Sequence, residues 1–592
     1  MLWDRQDRLP YLVLAECVAY DGSFLDSVAS DLMSLATQRS WALPSADWKL
    51  SYFSGTEYFV DLNSAMMAAD LGLALYLLGD LLNETVRTTV ADALDVRVFQ
   101  PLKRAILSGP TPSMWWYSEA SNWNAVCWAG VIIAIFCALD DYDERNFLSS
   151  NAIEHSQAYI SSFQDDGYAS EGVGYYNYGF TNFALLRQAL FEGSGGSYDA
   201  FEHPKVSKSA LFGLEYGMSS GNAANFGDSH FDNYFDKSLK RVIDSSFQVS
   251  LQDFLFDTND SGNQPQSERD WIWVKKTSLT PSYYDEDPFE NHTILDEYRW
   301  EDTFELAMMD LDGTESRAYK RKDSLNLPWY LLQLFQDSIP SVRTTSTRGM
   351  NDLRRYYNDS GVLVSRPNAA NDGQGLAATF KLGGNLGAHS HNDIGSYIIS
   401  VNSVQLTGDP GGPLYYDANT FNNQRYESPL MNSYGHPVPL VNGKLQKRAV
   451  NVLRKTKKPT VMSYQFTDSM DEIAFDMTRA YDEPYLEKLT REQTFDRVAQ
   501  RIVITDRVVF SRPCVFEDAL VTNSDWKFTG SNNGYFYDSS SKTFLYVEIS
   551  SSTPFDWNVT NLSSYGVDFK RIGIYFLEPV TSADITFTFF TA

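Results

Sequence analysis

The hydrophobic pattern changes its period once along the chain, and this change constrains the fold more than any other feature. In residues 65–82, 126–139 and 180–190, apolar side chains recur at the spacing of an amphipathic helix. From residue 361 onward, short runs rich in β-branched and aromatic residues are separated by turn signals. These strand-like runs cover residues 361–365, 396–406, 501–510, 542–549 and 583–590. The sequence therefore predicts an α+β multidomain protein in which helices precede strands.

A chain of 592 residues is too long for one hydrophobic core, so more than one domain is expected. We predict a helical domain over residues 1–340, a basic linker over 341–360 and an antiparallel β-sandwich domain over 361–592. Gly, Pro and Ser breaks separate successive helical segments, which suggests an α/α repeat arrangement, although no sequence repeat is visible.

The formal net charge of −28 argues against a nucleic-acid partner. An anionic sugar is still compatible with it, because a cleft needs only local positive charge. No stretch looks apolar enough for a membrane span, so no membrane partner is expected. The four cysteines contain no CxxC pair, which disfavours a redox motif or a zinc ribbon. No secretory signal is visible, so either the signal lies outside this sequence or the protein is intracellular; we expect a secreted or periplasmic location.

Three of the seven histidines lie close together in the predicted β-domain. His389 and His391 stand in GAHSHNDIGSY, Asp409 in LTGDPGGPLYY, and His436 in NSYGHPVPLVNGK. If the first two histidines lie on a strand, alternation points both side chains to the same face. Two imidazoles and a carboxylate with an open fourth position form a zinc-type ligand set. Core histidines beside a turn aspartate are the alternative, but the clustering favours a metal site.

The same strings resemble the signature of heparinase II/III-like polysaccharide lyases, a family that includes alginate lyases and relatives of dermatan sulfate epimerase. The resemblance implies that His391, Asp409 and His436 bind a metal, usually zinc, and that His389 faces the substrate. Tyr426, in QRYESP, stands where similar alginate lyases carry a second active-site tyrosine. The resemblance covers most of the chain and implies a helical (α/α) toroid followed by a β-sandwich.

Two segments of the predicted helical domain also match this family. SNWNAVCWAG begins a very apolar helix, and DDGYASEGVGYYNYG resembles the segment that supplies the catalytic tyrosine. A lyase must neutralise the uronate carboxylate, remove the C5 proton and protonate the leaving oxygen. We assign the carboxylate to Asn122 or Asn124, and the acid/base role to Tyr175 or Tyr178 with assistance from His389. Nearby positive charge would have to lower the tyrosine pKa for this role.

One departure from the family leaves roles open. Many relatives carry a histidine in or after the Asn-Trp motif, where this chain has Trp123 and Trp128. The residue that neutralises the carboxylate is therefore undecided, and Tyr426 could divide the acid/base work with Tyr175 or Tyr178. Further substrate-binding candidates lie in or beside these motifs: Trp123, Glu171, Asp228, His230 and Arg425. Glu171 could instead support its neighbours or cap a helix, and the segment around Asp228 and His230 could be structural.

These observations predict a lyase that acts on an anionic polysaccharide such as alginate, a glycosaminoglycan, glucuronan or ulvan. A uronate C5-epimerase shares the proton abstraction and is barely distinguishable by sequence. An inverting glycoside hydrolase needs two carboxylates across a cleft, for which the candidates are Asp165, Asp166, Glu171 and Asp228. A non-catalytic sugar-binding protein is the remaining alternative. The oligomeric state is open, with a homodimer as one option.

Overall fold

The computed structural model describes residues 2–219, 222–230, 235–247, 327–334, 353–367, 374–384, 389–417, 419–420, 422–447 and 460–591. Its helices are α1 (Leu2–Ala19), α2 (Leu25–Thr37), α3 (Ser51–Ser54), α4 (Leu62–Leu78), α5 (Glu84–Leu94), α6 (Gln100–Ser108), α7 (Asn122–Ala138), α8 (Tyr142–His155), α9 (Ala158–Ser161), α10 (Val173–Gly193), α11 (Val206–Glu215), α12 (Lys237–Phe247) and α13 (Leu327–Leu334).

Two short strands, β1 (Gly217–Ser219) and β2 (Asn222–Ala223), pair within the helical part. The other strands are β3 (Arg354–Tyr357), β4 (Val362–Ser365), β5 (Leu376–Lys381), β6 (Tyr397–Val401), β7 (Val404–Gly408), β8 (Leu440–Val441), β9 (Thr460–Phe466), β10 (Met470–Asp476), β11 (Leu486–Asp496), β12 (Arg501–Cys514), β13 (Phe516–Thr522), β14 (Asp525–Phe528), β15 (Asn533–Asp538), β16 (Thr543–Ser551), β17 (Phe555–Ser564), β18 (Val567–Phe576) and β19 (Val580–Phe590).

Helices α4 and α7 pack closely in the helical part because small residues face each other. A Cβ atom on Gly130 of α7 would lie 2.2 Å from the carbonyl oxygen of Ala65 on α4. A Cβ atom on Gly72 would lie 3.0 Å from Cα of Ala134. Glycine at these positions lets the two backbones approach each other. Nearly the whole surface of α7 is buried, which explains why the helix is apolar on all sides.

Within the described residues, the stretch Leu62–Leu81 is long and apolar enough by composition to cross a membrane. This finding differs from the sequence expectation that no such stretch exists. However, 67% of its most apolar window is buried inside the structure, as in the core helix of a globular domain. The bent pair Pro112–Ser118 and Asn122–Ala138 passes the same test only when taken together, across a bend of 92°. Such stretches are weak grounds for a membrane span.

The remaining strands form three antiparallel sheets. The largest has eight strands in the order β14-β15-β16-β19-β12-β11-β10-β9, the second has the order β17-β18-β13-β8, and the third runs β3-β4-β5-β6-β7. Strands of the eight-stranded sheet alternate between buried and more exposed positions, as β10 does, which is typical of a sheet with one face on a core.

The five-stranded sheet is different because both of its faces are buried. Val362 and Val364 of β4 join the core of the helical part, whereas Leu363 between them joins the core of the β-sandwich. Ile398 and Ile399 of β6 divide in the same way. Since successive side chains of a strand point to opposite faces, this sheet is the layer that joins the helical part to the sandwich.

Carboxylates of the helical part hold turns and arginines of the five-stranded sheet. Asp166 accepts hydrogen bonds from the backbone N–H groups of Asp359 at 2.9 Å and Ser360 at 3.0 Å. Nε of Arg355 lies 2.8 Å from Oε2 of Glu215. These contacts fix the position of the β-part against the helices, and with it the loops at their junction.

The predicted order of helices before antiparallel strands is confirmed. The run predicted as one strand over residues 396–406 is instead the hairpin β6–β7, because Asn402 and Ser403 adopt positive φ angles of 49° and 71° and reverse the chain. Most of the predicted linker, residues 341–352, lies outside the described residues, as do residues 248–326 of the predicted helical domain. The end of the predicted linker includes strand β3, which belongs to the five-stranded sheet.

Candidate active site at the junction of the helical and β parts

A single buried carboxylate, Asp228 of the helical part, gathers three side chains of the β-part. Its Oδ2 accepts from Nδ1 of His389 at 2.8 Å, and its Oδ1 accepts from Nε2 of His391 at 3.0 Å. Oδ1 also accepts from Nη2 of Arg425 at 2.6 Å. Burial alone would raise the pKa of the Asp228 carboxyl, but these two histidines and the arginine hold it well below its usual range. Asp228 is therefore an ionised organising group.

The backbone around Asp228 is shaped to meet the β-part. Its N–H donates to the carbonyl of His389 at 3.0 Å, and a Cβ atom on Gly227, where φ is 69°, would lie 2.8 Å from that same oxygen. Gly412 is equally close, since a Cβ atom there would lie 2.3 Å from the carbonyl carbon of Asp228. Larger residues at the two glycines would push the parts away from each other.

The start of helix α10 is held on the same segment. The N–H of Val173 donates to Oγ of Ser229 at 2.9 Å, so a side chain from outside the helix satisfies one of its first amides. A Cβ atom on Gly172, where φ is 90°, would lie 2.2 Å from that oxygen. These contacts bring the first turn of α10, which contains Tyr175, next to Asp228.

The predicted metal ligands converge beside this carboxylate. His391, Asp409 and His436 are fully buried, and one ligand atom from each lies within 4.8 Å of the others. Asp409 immediately follows strand β7, and His436 has the extended backbone expected of a residue before proline. Oγ of Ser396 donates to Oδ2 of Asp409 at 3.0 Å and orients that carboxylate.

The hydrogen bonds of the two histidines fit a metal site. Nε2 of His436 donates to the carbonyl of Leu430 at 3.1 Å, which turns Nδ1 towards Oδ2 of Asp409 at 2.9 Å. Nε2 of His391 is held by Asp228, and its buried Nδ1 has no hydrogen-bond partner among the described residues. A metal-binding imidazole typically uses one nitrogen for the ion and donates the other to a carboxylate or carbonyl. Both histidines meet this requirement.

The ionisation of Asp409 and His391 agrees with that reading, whereas at His436 burial lowers the pKa but the neighbouring Asp409 outweighs it and raises the pKa above its usual value. Burial alone would raise the pKa of the Asp409 carboxyl, but the neighbouring His436 and His391 lower it to about 2. Burial is also the main cause that lowers the pKa of His391, which keeps its imidazole neutral. A carboxylate and a neutral imidazole are the forms that bind a metal ion.

His389 and His391 do not lie on a strand, so the condition for the alternation argument is not met. Residues 389–396 form turns before β6, and His389 has a left-handed backbone with a φ of 65°. The two rings meet opposite oxygens of Asp228 because the chain turns between them. A left-handed conformation is costly for a histidine and is found most often where surrounding contacts hold a functional residue in place.

Tyr175 is the predicted tyrosine that reaches this cluster. Its ring stacks on that of His389, with centroids 3.7 Å apart and planes inclined by 19°. Its hydroxyl is hydrogen-bonded to that of Tyr416. Burial, followed by Tyr416 and the negative charge of Asp228, raises the pKa of Tyr175 well above its usual range. The expectation of a tyrosine with a lowered pKa is therefore not met, and Tyr175 is a neutral phenol.

Two other predicted residues lie elsewhere. The hydroxyl of Tyr178 donates to Sδ of Met66 at 3.7 Å, inside the helical part. The side-chain amide of Asn124 donates to the carbonyls of Trp116 and Tyr117 at 3.0 and 3.1 Å, and its oxygen accepts from the N–H of Tyr159 at 3.2 Å. Asn124 therefore fastens helix ends, and the structure does not bring it to the histidine cluster.

Asn122, the first residue of α7, is buried and donates through Nδ2 to Oε1 of Glu171 at 3.1 Å. Burial raises the pKa of Glu171, while the charge of His389 opposes the increase, which puts this pair near the cluster. The next residue, Trp123, packs its ring against Trp115 at 5.1 Å, and Trp115 is 47% exposed. An exposed indole beside the Asn122–Glu171 pair is a surface suited to a sugar ring.

The remaining candidates of the β-part are also buried at the junction. The hydroxyl of Tyr426 donates to the carbonyl of Ser390 at 3.4 Å, between the two histidines of the cluster. Nη1 of Arg425 donates to the carbonyl of Thr420 at 3.1 Å, and its Nε has no partner among the described residues. His230 is buried two residues after Asp228. Arg425 thus has one buried donor without an acceptor among the residues that the structure describes.

The carboxylates considered for a hydrolase are mostly committed to other contacts. Asp165 has a side chain that is 87% exposed and pairs with Lys205 at 3.3 Å. Asp166 holds the turn after β3, and Asp228 holds two imidazoles and a guanidinium group. Burial raises the pKa of Glu171, as a general acid requires. The required pair of catalytic carboxylates is not apparent among these four residues.

Sequence reasoning missed Tyr416 and the organising role of Asp228. Tyr416 stands in PLYYD, after the metal-type aspartate, where no motif distinguishes it from its neighbour Tyr415. Asp228 was considered as a residue that lines the substrate cleft, or as a structural residue, because its segment resembles the lyase family. The segments GDSH and HSHND are far apart in the sequence. Only the structure shows that they contact each other, through Asp228 and the two histidines.

Comparisons with known proteins agree on the fold. No family model matches the chain, and no curated protein matches it by sequence. Among solved structures, a heparinase III gene product superimposes with a TM-score of 0.59 at 10% identity, over 99% of this chain and 77% of that chain. Heparan sulfate lyase HepC from Pedobacter heparinus gives a TM-score of 0.56 at 12% identity, over 99% and 76%. Another heparinase III gives 0.50 at 10% identity, over 89% and 76%.

At this level of identity the likeness concerns the fold. The chain has the architecture of these heparinase III structures, a helical toroid followed by antiparallel β-sheets, and the predicted fold class is confirmed. The predicted metal ligands lie together as a possible metal-binding triad.

Proposed function

We propose that this protein is a polysaccharide lyase that cleaves a uronic-acid-containing anionic polysaccharide by β-elimination. The observation that carries the proposal is the stack of Tyr175 on His389, which Asp228 holds through Nδ1, next to the predicted metal triad. The fold shared with heparan sulfate lyases supports a polysaccharide substrate.

The proposed proton abstraction uses the pair of Asp228 and His389. Asp228 accepts from Nδ1 of His389, and we assign the removal of the C5 proton of the uronate to the other ring nitrogen, Nε2. As the C5–H bond breaks, its electron pair forms the double bond to C4. The negative charge of Asp228 stabilises the imidazolium that results, as a carboxylate does in other carboxylate–histidine pairs.

Tyr175 is the proposed general acid. Because the pKa of Tyr175 lies well above its usual range, the hydroxyl carries its proton at neutral pH. It donates this proton to the leaving oxygen while the C4–O bond breaks and its electron pair passes to that oxygen. Tyr426, whose hydroxyl rests on the carbonyl of Ser390, is the alternative acid.

The substrate carboxylate needs donors as negative charge develops on it. We assign this role to Asn122, which Glu171 orients, and to the unsatisfied Nε of Arg425. The exposed Trp115, which packs on the partly buried Trp123, is proposed to stack on a neighbouring sugar ring.

The ligand set of His391, Asp409 and His436 suits zinc. When bound, the ion would add positive charge at the junction and tie the three loops together. Asp228 would then serve both sides, since one of its oxygens orients the substrate-facing His389 and the other orients the ligand His391.

The test is ultraviolet absorbance during incubation with alginate, glycosaminoglycans, glucuronan and ulvan, since β-elimination leaves a conjugated double bond. Tyr175→Phe and Tyr178→Phe form a matched pair, because each removes one hydroxyl from helix α10. We expect wild-type protein to produce the signal with one polymer class and Tyr175→Phe to lower the rate by about 10²- to 10⁴-fold, the usual contribution of general acid catalysis. Tyr178→Phe is expected to stay active.

Two outcomes would contradict the proposal. A flat trace on every polymer, with deuterium from solvent entering C5, would indicate an epimerase. New reducing ends without the double bond would indicate a hydrolase. If Tyr178→Phe lost activity and Tyr175→Phe kept it, the assignment of the acid would be wrong.

A further inference from the structure

The segment between α2 and α4 carries basic side chains that lie on aromatic rings, and an arginine that follows α5 joins them. Cζ of Arg39 lies 5.3 Å from the ring centre of Phe53, and Nζ of Lys49 lies 5.0 Å from that of Trp48. Nη1 of Arg97 lies 3.5 Å from the carbonyl oxygen of Arg39, which places a third cation beside the first. We call these five residues the cationic–aromatic patch.

The rings of the patch face solvent, although ordered contacts hold their backbone. Trp48 is 77% exposed and Phe53 is 46% exposed. The carboxylate of the buried Asp47 accepts from the N–H groups of Tyr52 and Phe53 at 3.0 and 2.9 Å, which fixes the first turn of α3. Exposed rings that an ordered turn presents beside cations suit a ligand with both apolar faces and negative charge.

The cations of the patch have no carboxylate partner in the described part of the chain. Arg39, Lys49 and Arg97 take part in no ion pair there, although the chain has 76 acidic residues against 48 Lys and Arg. Asp47 is buried and uses both of its oxygens for backbone N–H groups. In a chain with a net charge of −28, these cations form a local positive surface that attracts an anionic polymer.

The patch lies at the end of the helical part where α4 and α7 begin. Nδ2 of Asn63, in the first turn of α4, donates to the carbonyl of Trp41 at 2.7 Å, and Cζ of Arg97 lies 5.1 Å from the ring centre of Trp41. Helix α7 runs parallel to α4, because the contacts at their two close glycines follow the same order in both helices. The first turn of α7 is therefore at the same end as the patch.

The turn that presents Trp115 is attached to this end. The carbonyl of Val60, near the start of α4, accepts from Nε1 of Trp116 at 2.7 Å. Trp116 adjoins the exposed Trp115, whose ring packs on Trp123 beside the proposed carboxylate binder Asn122. A polymer that is held at Trp115 can therefore continue onto the patch.

We propose that the cationic–aromatic patch is a second binding surface for the anionic polysaccharide, which holds sugar residues outside those between which the chain is cleaved. Trp48 and Phe53 stack on apolar faces of the sugars, and the three cations pair with their carboxylate or sulfate groups. This inference rests on the proposed lyase function, because it takes the same polymer as the ligand. It makes binding depend on chain length, since a long polymer occupies both surfaces and a short fragment occupies one.

The experiment compares the double variant Arg39→Gln/Lys49→Gln with Arg87→Gln/Arg507→Gln. Each removes two positive charges outside the histidine cluster, but Arg87 and Arg507 pair with carboxylates away from the patch. Ultraviolet absorbance gives kcat and KM on the polymer that produces the signal and on the shortest fragment of it that wild-type protein cleaves. Native gels that contain alginate, heparan sulfate, glucuronan or ulvan measure binding without turnover.

On the polymer, Arg39→Gln/Lys49→Gln is expected to raise KM by about 3- to 20-fold with little change in kcat, because each exposed ion pair contributes modestly and the patch does not touch the reacting atoms. The difference from wild type should shrink in about 1 M salt, which screens exposed charges. On the shortest fragment, KM is expected to match wild type. Arg87→Gln/Arg507→Gln is expected to match wild type on both substrates and in the gels.

Trp48→Ala tests the stacking contact, with Tyr142→Ala as the control, since Tyr142 is 72% exposed at the start of α8. We expect Trp48→Ala to raise KM on the polymer by about 2- to 10-fold at both low and high salt, because stacking on a ring is screened less than an ion pair. Tyr142→Ala should leave KM unchanged.

An unchanged KM on the polymer and unchanged retardation of Arg39→Gln/Lys49→Gln in the gels would overturn the inference and leave the lyase proposal standing. A KM that rises equally on polymer and fragment would overturn it too, because a distant surface acts only on chains that reach it. If wild-type protein eliminated no polymer, the proposed function would fail, whereas retardation that the double variant loses would still support the patch. Wild-type protein that no polymer retards would overturn the patch itself.

Discussion

Arg491 is a buried arginine in the interior of the β-sandwich, and Arg425 is a buried arginine at the junction with the helical part. The two differ in whether every nitrogen of the guanidinium group has a hydrogen-bond acceptor. Arg491, in β11, donates from Nε and Nη2 to both oxygens of Asp506 at 2.7 and 2.6 Å. Its Nη1 donates to the carbonyls of Gly395 and Pro437 at 2.7 and 2.8 Å. Arg425, at the junction, keeps an unsatisfied Nε.

This difference distinguishes a structural ion pair from a binding site. In the sandwich, strands fix both partners, and every nitrogen of the Arg491 guanidinium group has an acceptor. At the junction, loops supply the groups, and the buried atoms without partners include Nε of Arg425 and Nδ1 of His391. Buried polar atoms without partners are costly. Because Arg497 and Arg571 of the β-part also have a nitrogen without a partner among the described residues, the two atoms at the junction support a binding site only together with Asp228, which holds both Arg425 and His391.

The largest expected effect on stability tests the sandwich side of this comparison. Arg491→Met leaves Asp506 buried without its partner, and we expect it to lower the free energy of unfolding by about 3–5 kcal/mol. Urea unfolding measures the loss. Arg507→Met is the control, because Arg507 is on the neighbouring strand and pairs with Glu492 at an exposed site; it should cost less than about 1 kcal/mol. Equal losses for the two variants would refute the distinction.

Arg425→Met tests the junction side. We expect it to lower kcat/KM by about 100-fold, equivalent to about 2.7 kcal/mol, since a donor to the substrate carboxylate is removed. Its effect on urea unfolding should be smaller than that of Arg491→Met, because Asp228 keeps its two imidazoles. A variant that unfolds as easily as Arg491→Met but turns over normally when folded would show that Arg425 is structural.

Removal of the metal tests the same distinction between structural residues and binding residues. His436→Ala is expected to abolish zinc binding measured by metal analysis, and to lower the melting temperature of the zinc-loaded protein to that of the chelated one. A ligand at 100 times its Kd stabilises a protein by about 2.7 kcal/mol. His203→Ala, in the turn before α11, is the control. Full zinc content in His436→Ala would contradict the assigned ligand set.

A separate prediction concerns a buried acid within the helical part. Asp70 of α4 accepts from the N–H of Leu327 at 2.8 Å, and burial, with a smaller contribution from Asp7, raises the pKa of Asp70 to about 8. The folded protein therefore binds this proton more tightly than the unfolded chain, and the stability that it contributes falls as pH rises from about 4 to 8. Asp70→Asn keeps an acceptor and cannot ionise.

We accordingly expect Asp70→Asn to gain stability relative to wild type as the pH rises from about 4 to 8, because over this range only the unfolded wild-type chain releases the proton. The difference should shrink as the pH is lowered towards 4. Thermal unfolding across this range measures it. A difference that does not change with pH would show that the Asp70 carboxyl does not titrate with folding.

Much of the site could be predicted from the sequence because its ligand types are rare and clustered. The cluster of histidines and Asp409 was identified from the shortage of histidines elsewhere, and the resemblance to the lyase family implied that His391, Asp409 and His436 are the ligands; these three lie together in the structure. By contrast, the conformation of the first histidine pair was not predicted, since a period-2 argument cannot foresee the left-handed backbone of His389.

Neighbouring residues of identical type could not be told apart by sequence. Tyr175 and Tyr178 are three residues apart on α10, and Asn122 and Asn124 are two apart on α7. In each pair, one residue faces the junction with the β-part and the other contacts residues of the helical core. The helical period predicts that the two residues of each pair point in different directions. It does not predict which of the two faces the β-part.

By itself, the sequence determined the order of helices and strands, the antiparallel character of the second half and the chemical type of the clustered ligands. These follow from local periodicity and residue chemistry, which act over a few neighbours. Only the tertiary structure decided that Asp228 joins His389, His391 and Arg425, and that Tyr416 reaches Tyr175. Those contacts join residues of the helical part to loops of the β-part, and the packing of the doubly buried five-stranded sheet against the helices brings them together.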